Sequence, residues 1–191
     1  ILSPDKMMGE FSLNAISRSA PIFNRKKLEW LNSIHIRGKK EEELLQLLLP
    51  YLKKAGISIP QANRNYLIEI SGILKENLVI LSQVEEYLGI FFDEKFSFEE
   101  EVKTILLDSR NRETLRTALT VMEDSPEIIP GAWPSLLSQL EEKTGRRGKT
   151  LYPPLRAAIT GKMRGPELAK TLPLLGKERI VNRLKMALAL S

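Results

Sequence analysis

The sequence predicts an all-α protein, and three patterns carry that prediction. Apolar residues recur at intervals of three and four along most of the chain, as they do on the buried face of a helix. No stretch shows the sustained alternation of apolar and polar residues that is typical of a half-buried β-strand. Residues that cap or break helices separate the periodic stretches. We therefore expect short helices joined by tight polar turns.

Three helices are predicted between residues 24 and 81. Asn24 is a good N-cap residue and precedes the first of them. Glu41 to Ala55 forms the second, although Pro50 inside it lacks a backbone N–H and predicts a kink or a break there. The third is predicted from Arg64 to about Leu81, where leucine and isoleucine keep the helical spacing.

Capping residues, prolines and glycines set the predicted boundaries in the rest of the chain. Ser97 lies three residues before Glu100, which is the spacing of a capping box and predicts a helix start. Prolines and a glycine between residues 126 and 134 predict a loop. The remaining helices are predicted over residues 85–92, from Ser97 onward, and over 108–122, 134–143, 155–160, 166–175 and 177–190. Asp108 or Ser109 is the predicted N-cap of the helix over 108–122.

The predicted domain boundaries fall near Gly38 and Asp93, in turns between helices. They divide the chain into residues 1–38, 39–92 and 93–191. A chain of 191 residues suffices for one large domain or two small ones. We expect a short first segment followed by two small helical subdomains.

The composition excludes several kinds of chemistry. The chain has no cysteine and one histidine, His35, which excludes disulfides, thiolate zinc sites, cysteine nucleophiles and multi-histidine metal sites. No catalytic residue and no metal site is predicted. No apolar run approaches the roughly 18 residues of a membrane span, and no signal peptide is evident. We therefore expect a cytoplasmic protein that does not bind membranes.

The positive charge is concentrated at one end of the chain. The formal net charge is +5, yet Lys143 to Ser191 holds 12 basic and two acidic residues. A basic excess at one end indicates either a polyanionic partner or a solvated basic surface. Among polyanions, nucleic acid is favoured over a membrane, because turns interrupt the basic residues and no single amphipathic helix carries them.

One loop resembles a functional motif without meeting its requirements, and three isolated side chains are candidates for ligand contacts. Gly145 to Thr150 ends like a phosphate loop but has two residues between its glycines where the motif needs four, and no strand precedes it. A basic loop that contacts RNA phosphates is the favoured interpretation. His35 lies between apolar neighbours, so we expect it to be packed or hydrogen-bonded. Trp30 and Trp133 also have apolar neighbours and are expected to be buried; the alternative is that either one is exposed and stacks on a base.

Three sequence runs resemble the C-terminal anticodon-binding region of bacterial glutamyl-tRNA synthetases. They are Leu151 to Gly161, Gly165 to Leu168, and Leu174 to Arg179. Near the other end, Phe11 to Ser19 and Lys27 to Asn32 are similar to the segment with which that family contacts the tRNA stem. The resemblance implies a stem-contact segment over residues 1–38, then a helix bundle and a helix cage that together receive the anticodon.

The resemblance implies a part of a larger ligase. The family attaches glutamate to tRNA with ATP and Mg²⁺ in protein biosynthesis, and its ATP-binding signatures are absent from this chain. We therefore expect this chain alone to hold no cofactor and to be inactive in glutamate activation. The implied partner is tRNA-Glu, and the implied state is a monomer.

The resemblance also implies individual contact residues. A guanidinium can stack on an unpaired base and bond to its edge, which suits an arginine at the anticodon. The implied anticodon contacts are Arg156, Thr160, Gly165, Pro166, Leu168 and Asn77, and the predicted phosphate contacts are Arg18, Arg146, Arg147 and Lys149.

Asn77 departs from the family pattern. Family members that accept only tRNA-Glu are expected to place an arginine here, on the helix from Tyr66 to Leu81, facing the third anticodon base. The alignment places Asn77 at that position. This departure implies a parent enzyme that also accepts tRNA-Gln.

One alternative stays open. A helical protein-interaction domain whose basic C-terminal face binds an acidic protein would have the same composition and periodicity. Binding to tRNA with an anticodon-swapped control separates the two.

Overall fold

The computed structural model describes residues 3–15, 22–57, 63–125 and 127–190. Within these ranges the regular structure is helical and no β-strand occurs, so the all-α prediction is confirmed. The α-helices there are α1 Pro4–Glu10, α2 Arg25–Arg37, α3 Glu41–Lys54, α4 Arg64–Leu74, α5 Val84–Phe91, α6 Glu100–Leu107, α7 Ser109–Asp124, α8 Trp133–Thr144, α9 Tyr152–Thr160 and α10 Leu168–Ala189. Helix α10 has a kink at Gly176, whose φ of +72° is not helical, at the position where the sequence predicted two separate helices.

Two predicted N-caps are confirmed. The side chain of Asn24 accepts a hydrogen bond from the backbone N–H of Lys27 at 3.0 Å. Asp108 accepts one from the backbone N–H of Asn111 at the same distance. Each bond satisfies an amide that has no partner within its own helix, and so each fixes where its helix begins.

The sequence predicted a kink or a break at Pro50; helix α3 continues through Pro50 and ends at Lys54, so no break occurs there. Pro50 is exposed, while Leu44, Leu48 and Leu52 are buried on the opposite side. Burial of that leucine face stabilises the helix on both sides of the proline, and tertiary packing outweighs the loss of one backbone hydrogen bond.

Helix α4 is shorter than predicted, because it ends at Leu74 instead of continuing to Leu81. The amides of Asn77 and Leu78 both donate to the carbonyl of Leu74, at 2.8 and 3.1 Å, and close a turn. Leu78 is fully buried after this turn, so the apolar spacing that suggested a longer helix is satisfied by a bend. Asn77 thus lies in a turn and not on the helix.

The predicted capping box at Ser97 is also wrong. Helix α6 begins one residue after Glu99, which has no side-chain capping bond. The amide of Glu99 instead donates to the carbonyl of Gly161 at 3.0 Å. This segment is therefore fixed by the end of α9 and not by its own cap.

Of the three side chains that the sequence predicts to be packed, one is buried and two are exposed. Trp133 is buried as predicted. Trp30 is 55% exposed, so its predicted burial is wrong, and His35 is exposed rather than packed. Helix α2 buries only Ser33 and Ile36, because it contacts the rest of the protein along a narrow face.

The core lies between two helix groups. Helix α3 packs on α4 and α5, while α10 packs on α7, α8 and α9. Contacts of α10 with α4 and of α5 with α9 join the groups, and their buried apolar residues form one cluster.

Gly38 lies in the turn between α2 and α3, and Asp93 in the turn after α5. The domain boundaries drawn at these turns stay predictions. No helix in the described ranges could span a membrane.

Candidate nucleic-acid interface

The loop between α9 and α10 forms the centre of the candidate site. Helix α9 has proline in its first turn, where a missing N–H costs no intrahelical bond. It ends at Gly161, whose φ of +72° is the left-handed conformation that favours glycine. The chain then passes through Gly165 and Pro166, and α10 begins at Leu168 with Glu167 as its N-cap. The sequence run that carries the family resemblance is therefore one helix–loop–helix unit.

Arg156 projects from α9 toward this loop. Its Nη1 donates to the carbonyl of Pro166 at 2.9 Å, the one side-chain hydrogen bond it makes with the described residues. Desolvation by burial lowers the pKa of the Arg156 guanidinium from its ordinary value. Because an arginine stays charged at neutral pH even so, the group is a half-buried cation with further donors in a fixed plane.

Gly165 brings the loop close to α5. Its φ is +148°, and a Cβ there would lie 3.3 Å from Ile90 Cδ1 and 3.8 Å from Arg156 Nη1 and Tyr87 Cε1. A side chain at this position would therefore intrude between Arg156 and α5. Burial, together with the charge of Glu86, raises the pKa of Tyr87, so the phenol stays neutral. A cation and an aromatic ring that both lie near this glycine suit the stacking of unpaired bases.

Three of the predicted contact residues are buried. Pro166 and Leu168 are buried where the loop enters α10. The Thr160 hydroxyl donates to the carbonyl of Arg156 at 2.8 Å and accepts from the amide of Lys162 at 3.3 Å. These residues hold the loop in shape, and Arg156 and Gly165 lie closer to the surface.

A second basic surface lies on the loop after α8. Arg146 Nη1 donates to Asn111 Oδ1 at 3.1 Å, which orients its guanidinium along α7. Arg147 is exposed and lies 3.5 Å from a carboxylate oxygen of Glu141. Exposed Lys149 lines an open groove of about 600 Å³ together with Arg146. Since α8 precedes this loop, it lacks the strand that leads into a phosphate loop.

Asn77 lies in a turn that is fixed to α2 and α3. An ion pair of 2.5 Å between Lys75 and Glu41 ties this turn to α3. A hydrogen bond of 2.5 Å from Asn32 to the carbonyl of Val79 ties it to α2. Asn77 itself is half-buried. The predicted phosphate contact Arg18 lies outside the described residues.

Sequence reasoning missed four side chains near these surfaces. Tyr87, Lys162 and Arg164 line an open cleft of about 320 Å³ beside the Arg156 loop. Arg110 lines the groove at Lys149. The basic excess of the C-terminal region could have indicated that Lys162 and Arg164 belong to the site. No local pattern indicates Tyr87, because its helix α5 is far from α9 in the sequence.

The sequence run Leu174–Arg179 has a structural role. Lys177 donates to the carbonyls of Glu123 and Ser125, both at 2.6 Å, and so secures the end of α7. Arg179 Nε donates to Asp93 at 2.9 Å. In the part of the chain that the structure describes, no cluster of three or more histidines, aspartates or glutamates could hold a metal ion.

Two solved structures share this fold. A glutamate tRNA ligase from Elizabethkingia meningosepticum, in complex with its amino acid, matches 100% of this chain with a TM-score of 0.80 and 20% identity. The glutamate-tRNA synthetase from Elizabethkingia anophelis matches 98% with a TM-score of 0.76 and 22% identity. This chain covers 38% and 36% of those proteins. The fold is thus an all-helical module that occurs within aminoacyl-tRNA synthetases.

Sequence comparison identifies the family. The family model of the anticodon binding domain matches residues 43–188. Glutamate–tRNA ligase 2 of Syntrophus aciditrophicus is 31% identical over 188 residues, which cover 98% of this chain and 39% of that protein. Glutamate–tRNA ligase 1 of Thermoanaerobacter sp. is 33% identical over 192 residues, with 100% and 40% covered. The chain belongs to the anticodon-binding domain family of glutamyl-tRNA synthetases, which confirms the resemblance. It spans about 40% of the length of these curated relatives.

Proposed function

We propose that this chain binds tRNA-Glu by its anticodon, as part of a glutamate–tRNA ligase. The observation that carries the proposal is the half-buried cation of Arg156, which bonds to the loop at Pro166, where Gly165 approaches both Arg156 and Tyr87. Family membership supports it, since the model of the anticodon binding domain covers the helices that build this surface.

In the proposed complex, anticodon bases unstack from the loop of the tRNA and lie on this surface. The Arg156 guanidinium stacks on a base or bonds to its edge, and the backbone at Gly165 offers polar groups at close approach. Thr160, Pro166 and Leu168 contribute by holding the loop, since all three are buried. The proposed phosphate contacts are Arg18, Arg146, Arg147 and Lys149.

The whole protein is proposed to attach glutamate to tRNA in the cytoplasm, with ATP and Mg²⁺ bound outside this chain. We expect the chain itself to bind tRNA as a monomer and not to activate glutamate. A gel shift with a tRNA-Glu transcript and the same transcript with a swapped anticodon tests the binding. A preference for the glutamate anticodon supports anticodon recognition, whereas equal weak binding of both, or none, favours a protein-interaction domain.

Replacing Lys149 or Arg147 by alanine is expected to weaken binding of all tRNAs alike. Each side chain is exposed and supplies charge without a base contact, so the loss of affinity is electrostatic. The slope of log affinity against log salt should fall by about 0.7–0.9 for each phosphate that the variant no longer neutralises. Titrations at several salt concentrations measure this slope.

The matched control is Lys53→Ala, an exposed lysine at the end of α3. It removes the same charge outside the basic loop and should leave the slope unchanged. A loss of affinity in the Lys149→Ala or Arg147→Ala variant that depends on the anticodon sequence would contradict a contact with phosphate alone.

We propose that Asn77, in place of an arginine, allows the chain to bind tRNA-Gln as well as tRNA-Glu. The glutamate and glutamine anticodons differ at the third base, C against G, and asparagine can donate to or accept from either base. We expect the two tRNAs to bind within about tenfold, or about 1.4 kcal/mol. Asn77→Arg should shift the preference toward tRNA-Glu, because its fixed charge and planar donors favour one base edge.

Asn65→Arg is the control for added charge, since Asn65 is exposed in the first turn of α4. It should strengthen or leave unchanged the binding of both tRNAs equally. A native chain that already prefers tRNA-Glu by about a hundredfold, or about 2.7 kcal/mol, would refute the dual specificity.

A further inference from the structure

A buried guanidinium joins three helices beneath the candidate site. Arg183 on α10 is 1% exposed. Its Nη1 donates to the carbonyls of Ile90 and Ile159, both at 2.8 Å. Its Nη2 donates to the carbonyl of Gly89 at 3.3 Å and to the Asp93 carboxylate at 2.8 Å. One side chain on α10 therefore contacts both α5 and α9.

The carbonyls that Arg183 binds lie at helix ends. Gly89 and Ile90 are in the last turn of α5, and Ile159 is in the last turn of α9. Carbonyls in the last turn have no partner within their own helix, and a cation there also interacts favourably with the helix dipole. Arg183 thus caps two helices at once and sets the position of each end relative to the other.

The buried charge of Arg183 is compensated locally. Desolvation by burial raises the pKa of Asp93, but the hydrogen bond from Arg183 and the charges of Arg179 and Arg183 outweigh it, so the pKa is lowered overall. The ring centre of Phe96 lies 4.1 Å from the guanidinium carbon of Arg183. An ionised partner and an aromatic face are what a buried cation requires.

The two helix ends that Arg183 holds carry the candidate site. Ile159 follows Arg156 by three residues on α9, and a Cβ at Gly165 would lie 3.3 Å from the side chain of Ile90. Tyr87 lies one helical turn before Ile90 on α5. The distance between Arg156 on α9 and Tyr87 on α5 therefore depends on the hydrogen bonds that Arg183 makes to the ends of both helices.

We propose that Arg183 is a positioning residue for anticodon recognition, acting through Arg156 by fixing α9 against α5. The inference rests on the proposed function. Arg183 is too deeply buried to contact RNA itself, so its effect must pass through the surface residues. Lysine would keep the charge but lacks the planar fork that reaches carbonyls of two helices together.

The test is a double-mutant cycle with Arg183→Lys and Arg156→Ala in the 191-residue chain. Affinities are measured for the tRNA-Glu transcript and its anticodon-swapped form, at a temperature where circular dichroism shows every variant folded. We expect Arg183→Lys to reduce the anticodon preference about threefold or more. In the double variant the preference should be little lower than in Arg156→Ala alone, since the two substitutions act on the same contact with the anticodon. Unchanged preference, or additive reductions, would overturn the inference.

Arg112→Lys is the matched control. Arg112 on α7 also donates to helix-end carbonyls, those of Leu188 and Leu190 at 2.6 and 3.0 Å, but at the far end of α10. This variant should lower the melting temperature and leave the anticodon preference unchanged. An equal reduction of preference in Arg112→Lys would mean that general destabilisation explains the effect, which would also overturn the inference.

Asp93→Asn is the second variant if Arg183→Lys does not fold. It removes the charge that compensates Arg183 and keeps the side-chain shape, so the preference should fall in the same direction; an unchanged preference contradicts the proposal. If Arg156→Ala itself leaves the preference unchanged, the proposed anticodon site fails. If Arg156→Ala lowers it and neither Arg183→Lys nor Asp93→Asn does, the positioning role alone fails.

Discussion

Replacing Gly161 by alanine is expected to lower the free energy of unfolding by roughly 2–5 kcal/mol. Gly161 has a φ of +72°, which costs an L-residue energy, and a Cβ there would overlap the backbone oxygen of Ser97. The neighbouring ring of Phe96 would lie only 3.3 Å from that Cβ. Because the obstacle is backbone and not the tip of a flexible side chain, α9 must shift away from the segment that leads into α6. Chemical denaturation followed by circular dichroism measures the change in stability.

Gly145→Ala separates the two causes. Gly145 ends α8 in the same left-handed conformation, with a φ of +65°, but no neighbouring atom lies within 4 Å of its Cβ position. Only the conformational cost of about 1–2 kcal/mol is expected there. Equal destabilisation in the two variants would contradict the close approach between Gly161 and Ser97.

Replacing Arg156 by alanine is expected to weaken binding of tRNA-Glu by about 1–3 kcal/mol, or about 5- to 150-fold, and to reduce the anticodon preference. The variant removes the half-buried cation and the bond to the carbonyl of Pro166. Isothermal titration or a gel shift with both transcripts measures the change. Circular dichroism spectra that match the unmodified chain are needed to exclude unfolding.

Arg116→Ala is the control for this variant. Arg116 is an exposed arginine on α7, and its removal changes the net charge by the same amount. It should lower the affinity for both transcripts equally, if at all. An Arg156→Ala chain that is folded and retains full affinity and preference would remove Arg156 from the site.

Local signals in the sequence predicted most of the helices. Asn24 and Asp108 cap their helices because the side-chain bond forms within a single turn of the chain, so neighbouring sequence alone determines it. The helix–loop–helix around Arg156 and Gly165 was likewise predicted from one contiguous run. Its role in RNA binding rests on family membership and stays a proposal.

Contacts between distant segments account for the wrong predictions. The leucine face of α3 keeps that helix intact through Pro50. The bend after Leu74 satisfies the same apolar spacing as a longer helix would. Ser97 does not cap α6, since the neighbouring backbone bonds to Gly161, which belongs to a distant part of the sequence. Such bonds depend on how the helices assemble.

The role of Arg183 beneath the candidate site could not be predicted from local sequence either. In the sequence it is one of the 12 basic residues between Lys143 and Ser191, a composition that indicates a charged surface. The structure instead buries it among carbonyls from α5 and α9. No periodicity or spacing in the sequence indicates a cation that joins three helices, because its partners come from segments far apart in the chain.

Nuclease probing of a tRNA-Glu transcript tests the central claim most directly. The transcript is treated with a single-strand-specific nuclease alone, with the unmodified chain and with the Arg156→Ala variant. If the chain binds the anticodon at the Arg156 loop, the anticodon nucleotides are protected by the unmodified chain and become cleavable again with the variant. Protection confined to other parts of the tRNA, with the anticodon cleaved equally in all three reactions, would contradict the proposed anticodon-binding function.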